Sequence, residues 1–216
     1  MTLCVALLGG SFDPVHNGHV ALGALFAKLL DPDQLRILPA GNPWQKGSLR
    51  ASPADRVKML ELAFAEAALD VTLDLQEIER HAPTYTIDTL RNVRAQLGPN
   101  ASLVFLIGAD QLLHLDTWRD WRHLFDLAHI GVAARPGFSL TGAALPPAVA
   151  TELQQRQGSL EQLRNTPSGH TYVAQALAVD VSSTQVRAAL QRGEQANSLI
   201  SPVVLDYIQQ HNLYKI

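Results

Sequence analysis

Residues 9–19 read GGSFDPVHNGH, and this stretch decides how the chain folds. It follows a short continuous apolar run at residues 3–8, the pattern of a strand covered on both faces. It precedes a helical spacing of apolar side chains at Val20, Leu22, Leu25, Phe26 and Leu29. Ligands of open parallel sheets lie beyond the carboxyl ends of the strands, and the end of the first strand is a favoured place. Gly9 and Gly10 leave the backbone bare where a ligand could lie against it. A helix start adds unpaired N–H groups and a positive dipole end, which suit phosphate. Each such interaction is worth only about 0.3–1 kcal/mol, so a polyphosphate needs further partners. His16 and His19 supply them. Three positions apart, they share one face of a helix opened by Asn17-Gly18, and an imidazole can donate a hydrogen bond in either protonation state.

Outward from this joint, strands and helices alternate. Residues 35–38, 71–75, 103–107, 130–134 and 173–181 read as strands. Residues 54–68 read as a helix opened by Ser52-Pro53, and helical periodicity returns over 86–97, near 118–127, over 182–192 and over 203–210. Another helix is expected directly after Gly108. This alternation predicts an α/β fold, a doubly wound parallel sheet with a small C-terminal helical part. One domain spans 1–216: a sheet core over 1–180 and a helical part over 181–216. Residues 137–169, rich in Gln, Pro, Ser and Thr, are expected to form exposed short helices and loops within it.

The bulk figures narrow the function. The 216 residues carry a net charge of −3 and 47% hydrophobic side chains, enough for a substantial core. With no basic block, polymeric nucleic acid is not expected as a partner. A single cysteine, Cys4, excludes an intrachain disulfide and fits a reducing compartment. No apolar stretch approaches the roughly 20 residues of a membrane span, and the protein is expected in the cytoplasm. The glycine joint is neither G-x-x-x-x-G-K-[S/T] nor G-x-G-x-x-G, which excludes a P-loop and a hydride-transferring dinucleotide site. His16 and His19 lack the third ligand that zinc requires, so no protein-held metal is expected.

A second anion site is written near the other end, in VSSTQVR at residues 181–187. Ser182 or Ser183 caps the following helix, and Arg187 lies one turn on, where its guanidinium can reach phosphate oxygens. Together, the two stretches resemble the nucleotidyltransferase superfamily: G-G-[S/T]-F-D-P-x-H-x-G-H after the first strand, and [I/V]-S-[S/T]-T-x-[I/V]-R late in the chain. Over its whole length the chain is similar to the bacterial nicotinate mononucleotide adenylyltransferases. That likeness rests further on Pro83-Thr84-Tyr85-Thr86 leading into a helix, Ile107-Gly108-Ala109-Asp110 ending the fourth strand, Trp118, and Arg135-Pro136 after the fifth.

The resemblance implies a Rossmann-like nucleotidyltransferase fold and transfer of the adenylyl group of ATP to nicotinate mononucleotide, with Mg²⁺ carried on the ATP. It places Gly9, Gly10, Ser11, Phe12, His16, His19, Gly108, Asp110, Arg135, Ser183, Thr184 and Arg187 around ATP. It places Asn42, Lys46, Tyr85, Thr86, Asp110 and Trp118 around the mononucleotide. His16, His19, Lys46 and Arg187 form the charge-neutralising set. One departure stands out: the family's N-x-P-P-H-K loop reads Asn42-Pro43-Trp44-Gln45-Lys46 here, with Gln45 where the family has histidine. The rival readings are an adenylyltransferase preferring nicotinamide mononucleotide or another phosphorylated acceptor, and a nucleotide sensor that does no chemistry.

Overall fold

The apolar run near the N-terminus forms β1 (Cys4–Gly10), and every side chain from Cys4 to Leu8 is buried. It sits in the middle of the sheet. In the computed structural model, which describes residues 2–43, 49–80, 82–134, 145–175, 179, 181–194 and 196–215, β1 is flanked by β2 (Gln34–Pro39) and β4 (Ser102–Gly108). β3 (Thr72–Leu73), β5 (His129–Ala133) and β6 (Thr171–Ala174) extend the sheet outward, giving the order β3-β2-β1-β4-β5-β6 with all pairs parallel. The strand order reverses between β1 and β4. A crevice opens at such a reversal, because the crossovers on its two sides run to opposite faces.

Both faces are covered, which is why the strands read as unbroken apolar runs rather than alternating ones. Cys4, Ala6 and Leu8 join Val104, Leu106 and Ile37 on one face, under α1 (Asn17–Leu30), α2 (Pro53–Glu66), α8 (Ser183–Gln191) and α9 (Pro202–Gln210). Val5, Leu7, Phe105 and Ile107 point the other way, under α4 (Thr86–Leu97), α5 (Leu124–Leu127) and α6 (Pro147–Gln155). Phe26 of α1 is fully buried, and a side chain of that size contributes about 1.5–3 kcal/mol by leaving water. Among the described residues, no helix is long and apolar enough to cross a membrane.

The helix starts follow the sequence closely. Ser52 caps α2, accepting from Asp55 N–H at 3.1 Å, with Pro53 in the first turn. Ser182, not Ser183, caps α8: its hydroxyl accepts from Gln185 N–H at 3.3 Å, and Gln185 Oε1 accepts from Ser182 N–H at 2.7 Å.

Four expectations need correction. The helix after Gly108 is a 3₁₀ helix over Ala109–Thr117. The helix expected near 118–127 is broken: Trp118 is extended and Asp120 takes a left-handed backbone (φ 52°), leaving a 3₁₀ turn at Trp121–His123 and then α5. The stretch 137–169 holds α6 and, over Leu160–Asn165, α7, and these are not merely exposed. Val149, Leu153 and Leu163 have no solvent-exposed surface, so a polar-looking segment supplies core side chains at helical spacing. Finally, β3 and β6 are shorter than the runs 71–75 and 173–181, and Gln76–Glu79 forms a single helical turn, α3, that periodicity over so few residues cannot reveal.

Candidate active site

The site grows from the turn between β1 and α1. Phe12 holds a left-handed backbone (φ 46°), an arrangement worth about 1–3 kcal/mol of strain in a bulky residue, and the Asp13–Pro14 peptide is cis. Burial of the Phe12 ring, which has no exposed surface, offsets that cost. The glycines turn out to make room for aromatic rings. A Cβ on Gly10 would stand 2.9 Å from the Phe12 ring, and one on Gly9 would stand 3.0 Å from the Phe105 ring. Neither glycine needs a positive φ. Ser11 is likewise almost fully buried, so what Ser11 and Phe12 can offer a nucleotide is backbone.

His16 is the residue before α1, with extended backbone, and His19 stands one turn in. Their rings stack at 3.6 Å between centroids and 22° between planes. The Phe12 ring meets His19 edge-on at 4.8 Å, and His19 Nδ1 accepts from the His16 backbone N–H at 3.2 Å. That bond fixes the orientation of the His19 ring.

The late motif docks on this turn. Ser183 Oγ donates to the Pro14 carbonyl at 2.9 Å, and one Arg187 Nη donates to the Asp13 carbonyl at 2.5 Å. The other Arg187 Nη donates to Thr184 Oγ1 at 3.2 Å. A Cβ on Gly18 would come within 3.2 Å of Val181, so the mouths of α1 and α8 are in contact. Two stretches far apart in sequence therefore form one surface. Its floor is the Asp13 carboxylate, which accepts from Arg50 N–H (2.9 Å), Ala51 N–H (3.0 Å) and the Tyr214 hydroxyl (2.8 Å). Burial and that neighbouring carboxylate push the Tyr214 hydroxyl well above the ordinary phenol range. Buried Arg56 donates to the Ser11 carbonyl at 2.8 Å, and desolvation lowers the affinity of its guanidinium for its proton.

A second wall lies where the 40–43 turn meets the start of α4. Thr84 N–H donates to the Asn42 carbonyl at 3.0 Å, and Pro43 pairs with Thr84 as an isolated parallel bridge. Tyr85 precedes α4 and Thr86 is its first residue, with the Arg119 guanidinium 4.8 Å above the Tyr85 ring. Trp118 is half-buried, edge-on to Phe105 at 6.3 Å. Asp110 stays exposed beyond β4: its Oδ1 leans back over Gly108, and Gln111 Nε2 donates to its Oδ2 at 2.7 Å. Lys46, with Trp44 and Gln45, and Arg135, with Pro136, lie outside the described residues.

Three supporting residues had no signal that set them apart in the sequence. Asp13 lies inside the quoted stretch, but nothing local announces the three donors that gather on its carboxylate. Tyr214 is distant in sequence. Glu77 carries no periodicity. Among the described residues, no group of three or more His, Cys, Asp or Glu side chains is placed to hold a metal ion.

With this geometry in view, the likeness to known proteins has a physical meaning. The cytidylyltransferase-like family model matches residues 7–189. A protein of Herminiimonas arsenicoxydans named as a probable nicotinate-nucleotide adenylyltransferase is 59% identical over 215 residues, covering 100% of this chain and 98% of its own. One of Chromobacterium violaceum with the same name is 44% identical, with both chains covered in full. The fold is shared with the Plasmodium falciparum nicotinic acid mononucleotide adenylyltransferase complexed with NaAD, at TM-score 0.72 and 20% identity, covering 98% of this chain and 97% of that one. The chain belongs to the nicotinate-nucleotide adenylyltransferase family.

Proposed function

We propose that the protein transfers the adenylyl group of ATP to nicotinate mononucleotide, releasing pyrophosphate and forming nicotinate adenine dinucleotide. The observation that carries this reading is the contact of the two phosphate motifs. Ser183 and Arg187 bond to the carbonyls of Pro14 and Asp13, directly before the stacked His16–His19 pair. A polyphosphate lying along the mouths of α1 and α8 meets amide N–H groups, two imidazoles and a guanidinium at once.

The reaction needs no protein nucleophile. The mononucleotide phosphate is an anion at neutral pH; its oxygen attacks the α-phosphorus in line as the bond to the β-phosphate oxygen breaks. Catalysis is then positioning plus neutralisation of charge growing on phosphate oxygens. His16 and His19 face the α- and β-phosphates, and Arg187 the leaving pyrophosphate, joined by Lys46 of the 42–46 loop. Mg²⁺ belongs with the nucleotide, retaining water and borrowing phosphate oxygens. Three of the roughly four acceptor sites of the Asp13 carboxylate are engaged by backbone amides and Tyr214, which gives that residue a task in the fold. The adenosine end lies toward Gly108, Asp110 and Arg135. The acceptor lies along Asn42, Tyr85, Thr86 and Trp118, with the nicotinate carboxylate at the first-turn amides of α4 and the pyridine face on Trp118, a stacking worth about 0.5–1.5 kcal/mol.

The test is pyrophosphate release with ATP, Mg²⁺ and a panel of acceptors, run on wild type and His19→Ala. Nicotinate mononucleotide is expected to be preferred over the amide, and the variant to lose about 10²–10³ in kcat, the scale for one preorganised donor. Equal turnover of nicotinamide mononucleotide overturns the carboxylate reading. No product with any acceptor overturns the proposal and revives the sensor reading.

A further inference from the structure

Glu77 is a buried carboxylate to which the reaction above gives no task. It stands in the single turn α3 and is 9% exposed. The Thr89 hydroxyl donates to its Oε1 at 2.7 Å. The Thr84 hydroxyl, the Gly41 N–H and the Arg80 guanidinium also favour its charged form, yet burial outweighs them and raises its proton affinity above that of an ordinary glutamate. The backbone of the same residue is as closely engaged. A side chain on Gly41 would sit 1.9 Å from the Glu77 carbonyl oxygen, so only glycine lets the two segments meet. The Glu77 carboxylate thus gathers donors from residues 41, 84 and 89, while its backbone packs directly against residue 41. Between the gripped points lie Asn42, Tyr85 and Thr86.

A carboxylate taken out of water is expensive, and a hydrophobic side chain would fill the space more cheaply. What a carboxylate does that a leucine cannot is accept from several donors on different segments at once. We propose that Glu77 is a positioning residue for the acceptor half of the site, holding the 41–43 turn at a fixed distance from the start of α4. The proposal rests on reading that wall as the mononucleotide subsite.

Steady-state kinetics on the full chain test it, with each substrate varied in turn. Glu77→Ala is expected to raise KM for the acceptor about tenfold or more, while KM for ATP stays within about twofold. Glu77→Gln should recover most of the loss, since its amide oxygen still accepts from Thr89. Thr89→Val, which removes one donor and no charge, should move acceptor KM in the same direction by a smaller factor, and it decides the matter if Glu77→Ala does not fold. A variant that melts at lower temperature with both KM values unchanged, or with both raised alike, overturns the proposal. If wild type prefers a different phosphorylated acceptor, the reading of the subsite falls, and the KM split measured with that acceptor still decides the role of Glu77.

Discussion

His129 opens β5 with no exposed surface, and its two ring nitrogens do opposite things. Nε2–H donates to the Thr166 carbonyl at 2.8 Å, while Nδ1 accepts from the His170 backbone N–H at 3.0 Å. Protonating Nδ1 would break that second bond, and burial disfavours the charge, as do the stacked His170 ring and Arg94. The pKa is held down from the usual 6.5 to about 4. Below about pH 6.5 the unfolded chain takes up a proton that the folded one refuses until about pH 4, so stability falls with pH through that window and levels off beneath it. The gap corresponds to roughly 3 kcal/mol. Urea unfolding at pH 7 and at successive steps down to pH 4 should show it. His129→Gln, whose amide can both donate to Thr166 and accept from His170, should flatten that slope. An unchanged slope in the variant would assign the loss to other groups.

Helix α8 shows what a single element adds to the site, and how far it could be read beforehand. A capping serine at 182 or 183 and an arginine one turn on were legible, because caps and spacings are local, and the structure selects Ser182. So were the strand-to-helix joint at 9–19, the helix start at Tyr85-Thr86, and the alternation that dictates a parallel sheet. What α8 packs against was not legible, since the bond from Ser183 to Pro14 joins residues 169 positions apart. A further constraint on the glycines of the joint was not legible for the same reason: it comes from the rings of Phe12 and Phe105, one of them on another strand. The broken helix near 118–127 fails because the left-handed turn at Asp120 overrides a passable apolar period. If docking of α8 sets the distance between the two phosphate motifs, Ser183→Ala should lower stability by about 1 kcal/mol and raise KM for ATP about fivefold, the worth of one hydrogen bond. A melt together with an ATP saturation curve checks both, and a stability loss with unaltered KM would make the bond structural only.

Across the whole molecule, the turn that carries His16 is held from three directions. The segment leading into α2 gives Asp13 two backbone N–H groups, α8 gives the Asp13 and Pro14 carbonyls two donors, and the C-terminal segment gives the Asp13 carboxylate the Tyr214 hydroxyl. The last of these joins the far end of the chain to the first strand's exit. Its strength follows from where it lies. Tyr207 makes a bond of nearly equal length, 2.9 Å to Asp55, but in a more solvated place, whereas Tyr214 is 6% exposed and its acceptor 4%. A bond to a charged group out of water is worth about 1.5–3 kcal/mol, while one that water can replace falls toward 0.5 or less. Tyr214→Phe should therefore cost about 1.5–3 kcal/mol in unfolding free energy and also reduce kcat, because the released carboxylate is on the turn that aims the imidazoles. Tyr207→Phe, the matched control, should cost under about 1 kcal/mol and leave kcat alone. Denaturant melts and turnover measured on both variants decide it. Equal losses would mean that bond length rather than burial governs this fold, and a Tyr214→Phe protein with full turnover would uncouple the C-terminal segment from the site.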